Sequence, residues 1–176
     1  MRTRLTAWTA IGVAMALMLT GCGGVEAKAW ASDVCGSLKS VNSKMEKSAK
    51  SMTVNPGDMK ATQKSMVTLL GVAETQSQRL ASDVEKAGTP DVEGGEEDAN
   101  RLVSQLEKAA RTFGGAKEKL GKADAEDPQA LALAFQSVQK DLAAQGSKVS
   151  DPTQALKSKE LRTALKKDAA CKSVRS

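Results

Sequence analysis

No histidine and no tyrosine occur in the 176 residues, and the aromatic side chains amount to two Trp and two Phe. Without imidazole the chain lacks Ser-His-Asp and Cys-His nucleophile pairs, histidine metal sites and the usual general base near neutral pH. Trp30, Phe113 and Phe135 stand outside the basic segments, so no stacking platform accompanies the positive charge and nucleic acid is not an expected partner. Gly94-Gly95 and Gly114-Gly115 lack both a preceding strand and the Gly-Lys-Ser/Thr ending of a phosphate loop. A hydrolase built on carboxylates alone needs two acids facing each other across a cleft, whereas the close acidic groups here fall at helix starts or in loops. Glu126-Asp127 reads as a helix-start signal, and Glu96-Glu97-Asp98 suits the positive end of a helix dipole. The expectation is a chain that is not an enzyme and carries no cofactor.

Charge is also missing from Leu5 through Leu19, a run of apolar and small residues behind the basic head Met1-Arg2-Thr3-Arg4. The run is short for a membrane span of ~20 apolar residues and has the layout of an export signal. Leu19-Thr20-Gly21-Cys22 follows, and it resembles the lipobox of bacterial lipoproteins: an aliphatic residue, two small residues, then a cysteine. That resemblance implies cleavage after Gly21, a diacylglyceryl thioether on Cys22, and a location on the outer face of the cell membrane. The organisation expected is a lipoprotein signal peptide over 1–21, a lipidated tether over 22–27 and a helical domain over 28–176. Cleavage would remove 21 of the 176 residues and, with Arg2 and Arg4, lower the formal balance from +5 to +3.

Outside the cytoplasm paired thiols persist as disulfides. With Cys22 acylated, Cys35 and Cys171 are an even pair that can form a single intramolecular bridge, the alternatives being two free thiols or a bond between chains.

Between these cysteines, Thr53 to Gly57, Gly88 to Gly95, Gly121 to Pro128 and Gly146 to Pro152 punctuate segments rich in Ala, Lys, Glu, Gln and Leu. Asn55-Pro56, Asp127-Pro128 and Asp151-Pro152 each place a capping side chain before a residue suited to the first helical position. Apolar residues recur at steps of three and four, as in Val34, Leu38, Val41 and Met45, or Leu102, Leu106, Ala109 and Phe113. The fold class expected is all-α: an antiparallel helical bundle of four main helices, over 28–52, 56–87, 95–120 and from 128, with a short or broken C-terminal helix and one disulfide. A complete fifth pass would carry Cys171 a helix length from Cys35, whereas disulfide Cα atoms lie within roughly 7 Å. Residues 128–172 therefore form either one broken descending leg or a main helix followed by a short one across the base.

Trp30-Ala31-Ser32-Asp33-Val34-Cys35, the Ala/Lys/Gln-rich middle and a lone cysteine near the C-terminus, behind a lipobox, resemble the small secreted and lipid-anchored proteins of actinobacteria. The resemblance implies a place in the cell envelope, and it also supports the Cys35–Cys171 pair. It implies no ligand.

Two features could carry function. Met45, Met52, Met59 and Met66 are spaced by seven, and a hairpin turn at Asn55-Pro56-Gly57 would gather four thioethers, a soft ligand set for Cu(I); methionine also fills irregular core gaps at such positions. Lys39, Lys44, Lys47 and Lys50, with Lys159, Arg162, Lys166 and Lys167, belong to segments that a Cys35–Cys171 bridge would tie together, while residues 83–98 are acidic. Such a face could dock on anionic lipid or wall polymer. The function expected is a non-enzymatic, lipid-anchored envelope module whose partners are the membrane, through the anchor, and another envelope protein.

Overall fold

The computed structural model describes residues 24–55, 57–149 and 152–175, giving the backbone alone at 145–149, 152–153 and 175. The leader, Cys22, Pro56 and Asp151 lie outside the described residues. Among those described the chain is all-helical: α1 (Ala27–Lys50), α2 (Met59–Lys86), α3 (Gly95–Lys122), α4 (Pro128–Val149), a 3₁₀ turn (Pro152–Ala155), α5 (Lys159–Lys167) and α6 (Ala169–Arg175). No described helix is long and apolar enough to cross a membrane.

Helix starts follow the side chains that can absorb free backbone N–H groups. Asp127 accepts from the amides of Gln129 and Ala130, with Pro128 as the first helical residue, as its sequence predicts. The Asn55 signal is displaced: its side chain accepts from Gly57 N within the turn, and Asp58 caps α2 by accepting from Ala61 N. Pro152 opens a 3₁₀ turn of 4 residues instead of a helix, and the cap of α5 is Ser158, which accepts from Leu161 N. Asp168 ends α5 and starts α6, accepting from Ala170 N and Cys171 N, so one extended residue turns the chain between two short helices. α4 also runs through Gly146 to Val149, four residues into the expected break.

Packing order follows the chain at first. α2 and α3 form the most extensive pair, α1 lies on α2, and α4 lies on α3. The 3₁₀ turn returns to α3, and then α5 and α6 pack on α1. The C-terminal segment is thus two short helices beside α1, and Cys171 reaches Cys35 with the Cα atoms 4.8 Å apart across a sequence separation of 136.

The apolar stripes feed two clusters. The near cluster unites Trp30 and Val34 of α1 with Leu80 and Val84 of α2, Leu102 of α3, and Leu161 and Leu165 of α5. The far cluster joins Leu70, Leu120, Leu131 and Val138, with Met66, Phe113 and Phe135 partly buried against it. Between them α2 and α3 bury Ala73, Gln76, Ser77, Ala109 and Ala110, small or polar residues that let the two helices approach but interrupt the greasy seam. The consequence for α1 is uneven burial. All its buried residues, from Ala27 to Cys35, lie in its first half.

The bridge closes a long loop, so its main effect falls on the unfolded chain. Cys35→Ser is expected to lower the unfolding free energy by about 4–5 kcal/mol on the chain-entropy model while preserving most of the helical circular dichroism. Denaturant melts of the two proteins check this, and equal midpoints would show that the bridge adds little to packing already sufficient to hold α6.

Candidate functional site

The N-terminal end of the structure is clamped before α1 begins. Val25 donates its N–H to Thr89 O at 2.7 Å and accepts from Asp91 N at 2.8 Å, forming a short parallel bridge with the α2–α3 loop. That loop turns tightly enough that a Cβ at Gly95 would run into the carbonyl oxygen of Pro90. Its charged residues Asp91, Glu93, Glu96 and Glu97 are exposed.

Asp98 is different from its neighbours, since it is only 1% exposed. Its carboxylate accepts from the backbone N–H of Lys157 at 2.9 Å and of Ser158 at 2.7 Å, and from Arg101 Nη1 at 3.0 Å. The same guanidinium nitrogen donates to Ala155 O at 3.2 Å. Asp98 and Arg101 therefore hold the strand of chain leading into α5 against the first turn of α3. In the sequence, Asp98 reads as one of three acids suited to the helix dipole. The available signal was its register: Asp98 lies four residues before Leu102 and so extends the apolar stripe of α3 to a buried position.

α5 and the start of α1 border an open groove of about 490 Å³ lined by Glu26, Lys28, Lys159, Glu160 and Thr163, with Ala27 and Ala164 at its apolar side. Lys159 thus shares this groove with one other lysine and two carboxylates. Lys166 and Lys167 are exposed, and Arg162 is half-buried and donates to Leu156 O. The basic residues named from sequence consequently divide into two groups. Lys44, Lys47 and Lys50 stand roughly 14–22 Å beyond Cys35 along α1, given a rise of ~1.5 Å per residue, whereas the others lie on α5 or, in the case of Lys39, nearer the disulfide.

The far half of the α1–α2 hairpin carries Lys44, Lys47, Lys50, Lys60 and Lys64 against two acids, Glu46 and Asp58. Glu46 accepts from Asn42 and Asp58 caps α2, and none of the five lysines has an ion pair among the described residues. Ser48, Ser51, Met52, Lys64, Ser65 and Thr68 line a groove of about 210 Å³ across the seam. Of the other methionines, Met45 is half-buried, Met59 is exposed at the start of α2, and Met66 packs on the far cluster. Cys35, Asp168 and Cys171 bring three ligand-type atoms within 4.8 Å, but both sulfurs are committed to the disulfide and Asp168 to capping α6.

Replacing Asp98 by alanine would leave the Lys157 and Ser158 amides without their acceptor and take from Arg101 its buried carboxylate partner. The expected loss for Asp98→Ala is about 3–5 kcal/mol, with a smaller one for Asp98→Asn, and hydrogen exchange should accelerate first at the Lys157 and Ser158 amides. A loss under about 1 kcal/mol would show that other contacts hold this strand. Comparison with protein-family models, curated proteins and solved structures gives no match to this chain.

Proposed function

We propose that the chain is a non-enzymatic binding module of the cell envelope, an antiparallel bundle of four main helices held at the membrane surface by a lipid on Cys22. The observation that carries this reading is the opposition of charge along the molecule. The α2–α3 loop at the clamped end presents Asp91, Glu93, Glu96 and Glu97, and the far hairpin presents five lysines without ion pairs among the described residues. Cys22 precedes Val25 by three residues, a reach of roughly 10 Å when extended. An anchor there brings the acidic α2–α3 loop to the headgroups, with Lys28 and Lys159 beside the start of α1, and turns the hairpin outward.

Anionic lipid repels the acidic loop, so docking of the basic residues on the membrane is the weaker use of this charge. The hairpin is the surface offered to a partner, either another envelope protein or an anionic polymer. Cu(I) handling by Met45, Met52, Met59 and Met66 has less support, because the packing of Met66 on the far cluster accounts for that side chain as core filler.

Lipidation requires the thiol of Cys22. Intact-mass analysis of protein from envelopes should find a chain starting at Cys22 with added acyl mass, and Cys22→Ser should move the protein to the medium or leave it as precursor. A wild-type chain without acyl mass would remove the anchor from this proposal.

A further inference from the structure

The groove across the α1–α2 seam has a donor and acceptor pattern of its own. The Ser51 hydroxyl donates to Ser48 O at 2.9 Å, and the Thr68 hydroxyl donates to Lys64 O at 2.9 Å. Both oxygens are left as acceptors. The hydroxyls of Ser48 and Ser65 and the ammonium of Lys64 have no hydrogen-bond partner among the described residues, so they remain donors. Three donors including one cation suit the oxygens of a phosphate, and two adjoining acceptors suit the hydroxyls of a polyol.

Helical spacing extends this site into a track. Lys44, Ser48 and Ser51 fall on one ridge of α1, and Lys60, Lys64 and Thr68 fall on one ridge of α2, so lysines flank the groove from both helices. Lys47 and Lys50, both exposed, continue the positive surface. The groove, of about 210 Å³, is open along the seam, so one phosphate and its adjoining polyol can lie in it with the polymer continuing on either side.

We infer that this groove binds a phosphodiester-linked polyol polymer of the cell wall, one repeat in the groove and neighbouring phosphates along the lysines. Two other carriers of phosphodiester groups fit less well. Bases need aromatic platforms, and no aromatic residue lies between Trp30 and Phe113. A bilayer headgroup lies at the opposite end of the molecule if Cys22 is the anchor. α1 alone spans roughly 36 Å at ~1.5 Å per residue, several times a Debye length of ~8 Å at physiological ionic strength. This assignment rests on the proposed orientation for its choice of wall over membrane, though the groove chemistry does not depend on acylation.

The test uses the full-length Cys22→Ser chain, which separates the groove from the anchor, and a synthetic polyglycerol phosphate as probe. Binding measured by calorimetry at low and physiological salt should weaken as salt rises. Joint Lys44→Gln, Lys60→Gln and Lys64→Gln substitution should weaken it at least tenfold, and Ser48→Ala with Ser65→Ala about threefold, with unchanged helical signal in both. Lys166→Gln with Lys167→Gln should leave it unaltered. Single-stranded DNA and phosphatidylglycerol vesicles of matched phosphate concentration should each bind at least tenfold more weakly than the polymer. Equal binding of DNA would reduce the site to a generic polyanion patch, equal binding of vesicles would assign it to lipid, and insensitivity to either set of groove substitutions would place the polymer elsewhere; any of these overturns the inference.

Discussion

The carboxylate of Asp98 settles a conflict that the rest of the fold creates. α4 packs on α3, yet the residues that follow it must cross to α1, and the crossing strand arrives with backbone amides that no helix yet satisfies. A buried acid at the first turn of α3 takes the amides of Lys157 and Ser158 together, and Arg101 balances its charge while holding Ala155 O. With that strand fixed, Leu161 and Leu165 enter the near cluster, Asp168 turns the chain, and Cys171 arrives opposite Cys35. The covalent bond is therefore the last link of a path laid down by hydrogen bonds. Burial of an ionised group is costly unless its lone pairs are used, and here three donors use them through four hydrogen bonds.

Much of this architecture is legible in the sequence because helices declare themselves locally. The stripe from Leu102 to Leu120 lies within α3, and Asp127-Pro128 marks the start of α4 to the residue. Asn55-Pro56 and Asp151-Pro152 carry the same local signal without the same outcome. Asn55 spends its side chain on the turn, leaving the cap to Asp58, and the chain after Pro152 is drawn back onto α3 before a full helical turn can repeat. The division into two clusters is a tertiary property. Ala73, Ala109 and Ala110 continue the period, so a pattern of apolar and polar residues does not reveal that the seam thins there. Asp98 was obscured for the opposite reason, since a carboxylate in a first turn already has a sufficient local explanation.

The basic residues show where linear grouping fails. A disulfide joining early and late segments suggests one continuous cationic face, but α5 and α6 occupy only the part of α1 around the near cluster. Lys159 shares a groove with Glu26, Lys28 and Glu160, whereas the segment from Lys44 to Lys64 carries five lysines and two acids, Glu46 and Asp58. Separation along α1 converts a single basic surface into two electrostatic environments. The far one borders the donors of Ser48 and Ser65, and that coincidence gives the hairpin chemical character beyond its charge.

The position of Cys35 within α1 also determines how the molecule would respond to tension. A load applied between the clamped N-terminus and the far hairpin is shared by α1 and α2, which both span these two ends. The first half of α1 is embedded in the near cluster and cross-linked to α6, so the yielding element is the segment from Gly36 to Lys50, which has no fully buried residue. A helix that unwinds lengthens from ~1.5 to ~3.5 Å per residue, so unwinding of these fifteen residues corresponds to an extension of roughly 30 Å with the cross-linked half still in place. The same covalent bond that limits the unfolded chain thus divides α1 into a fixed half and a half that depends on α2 alone.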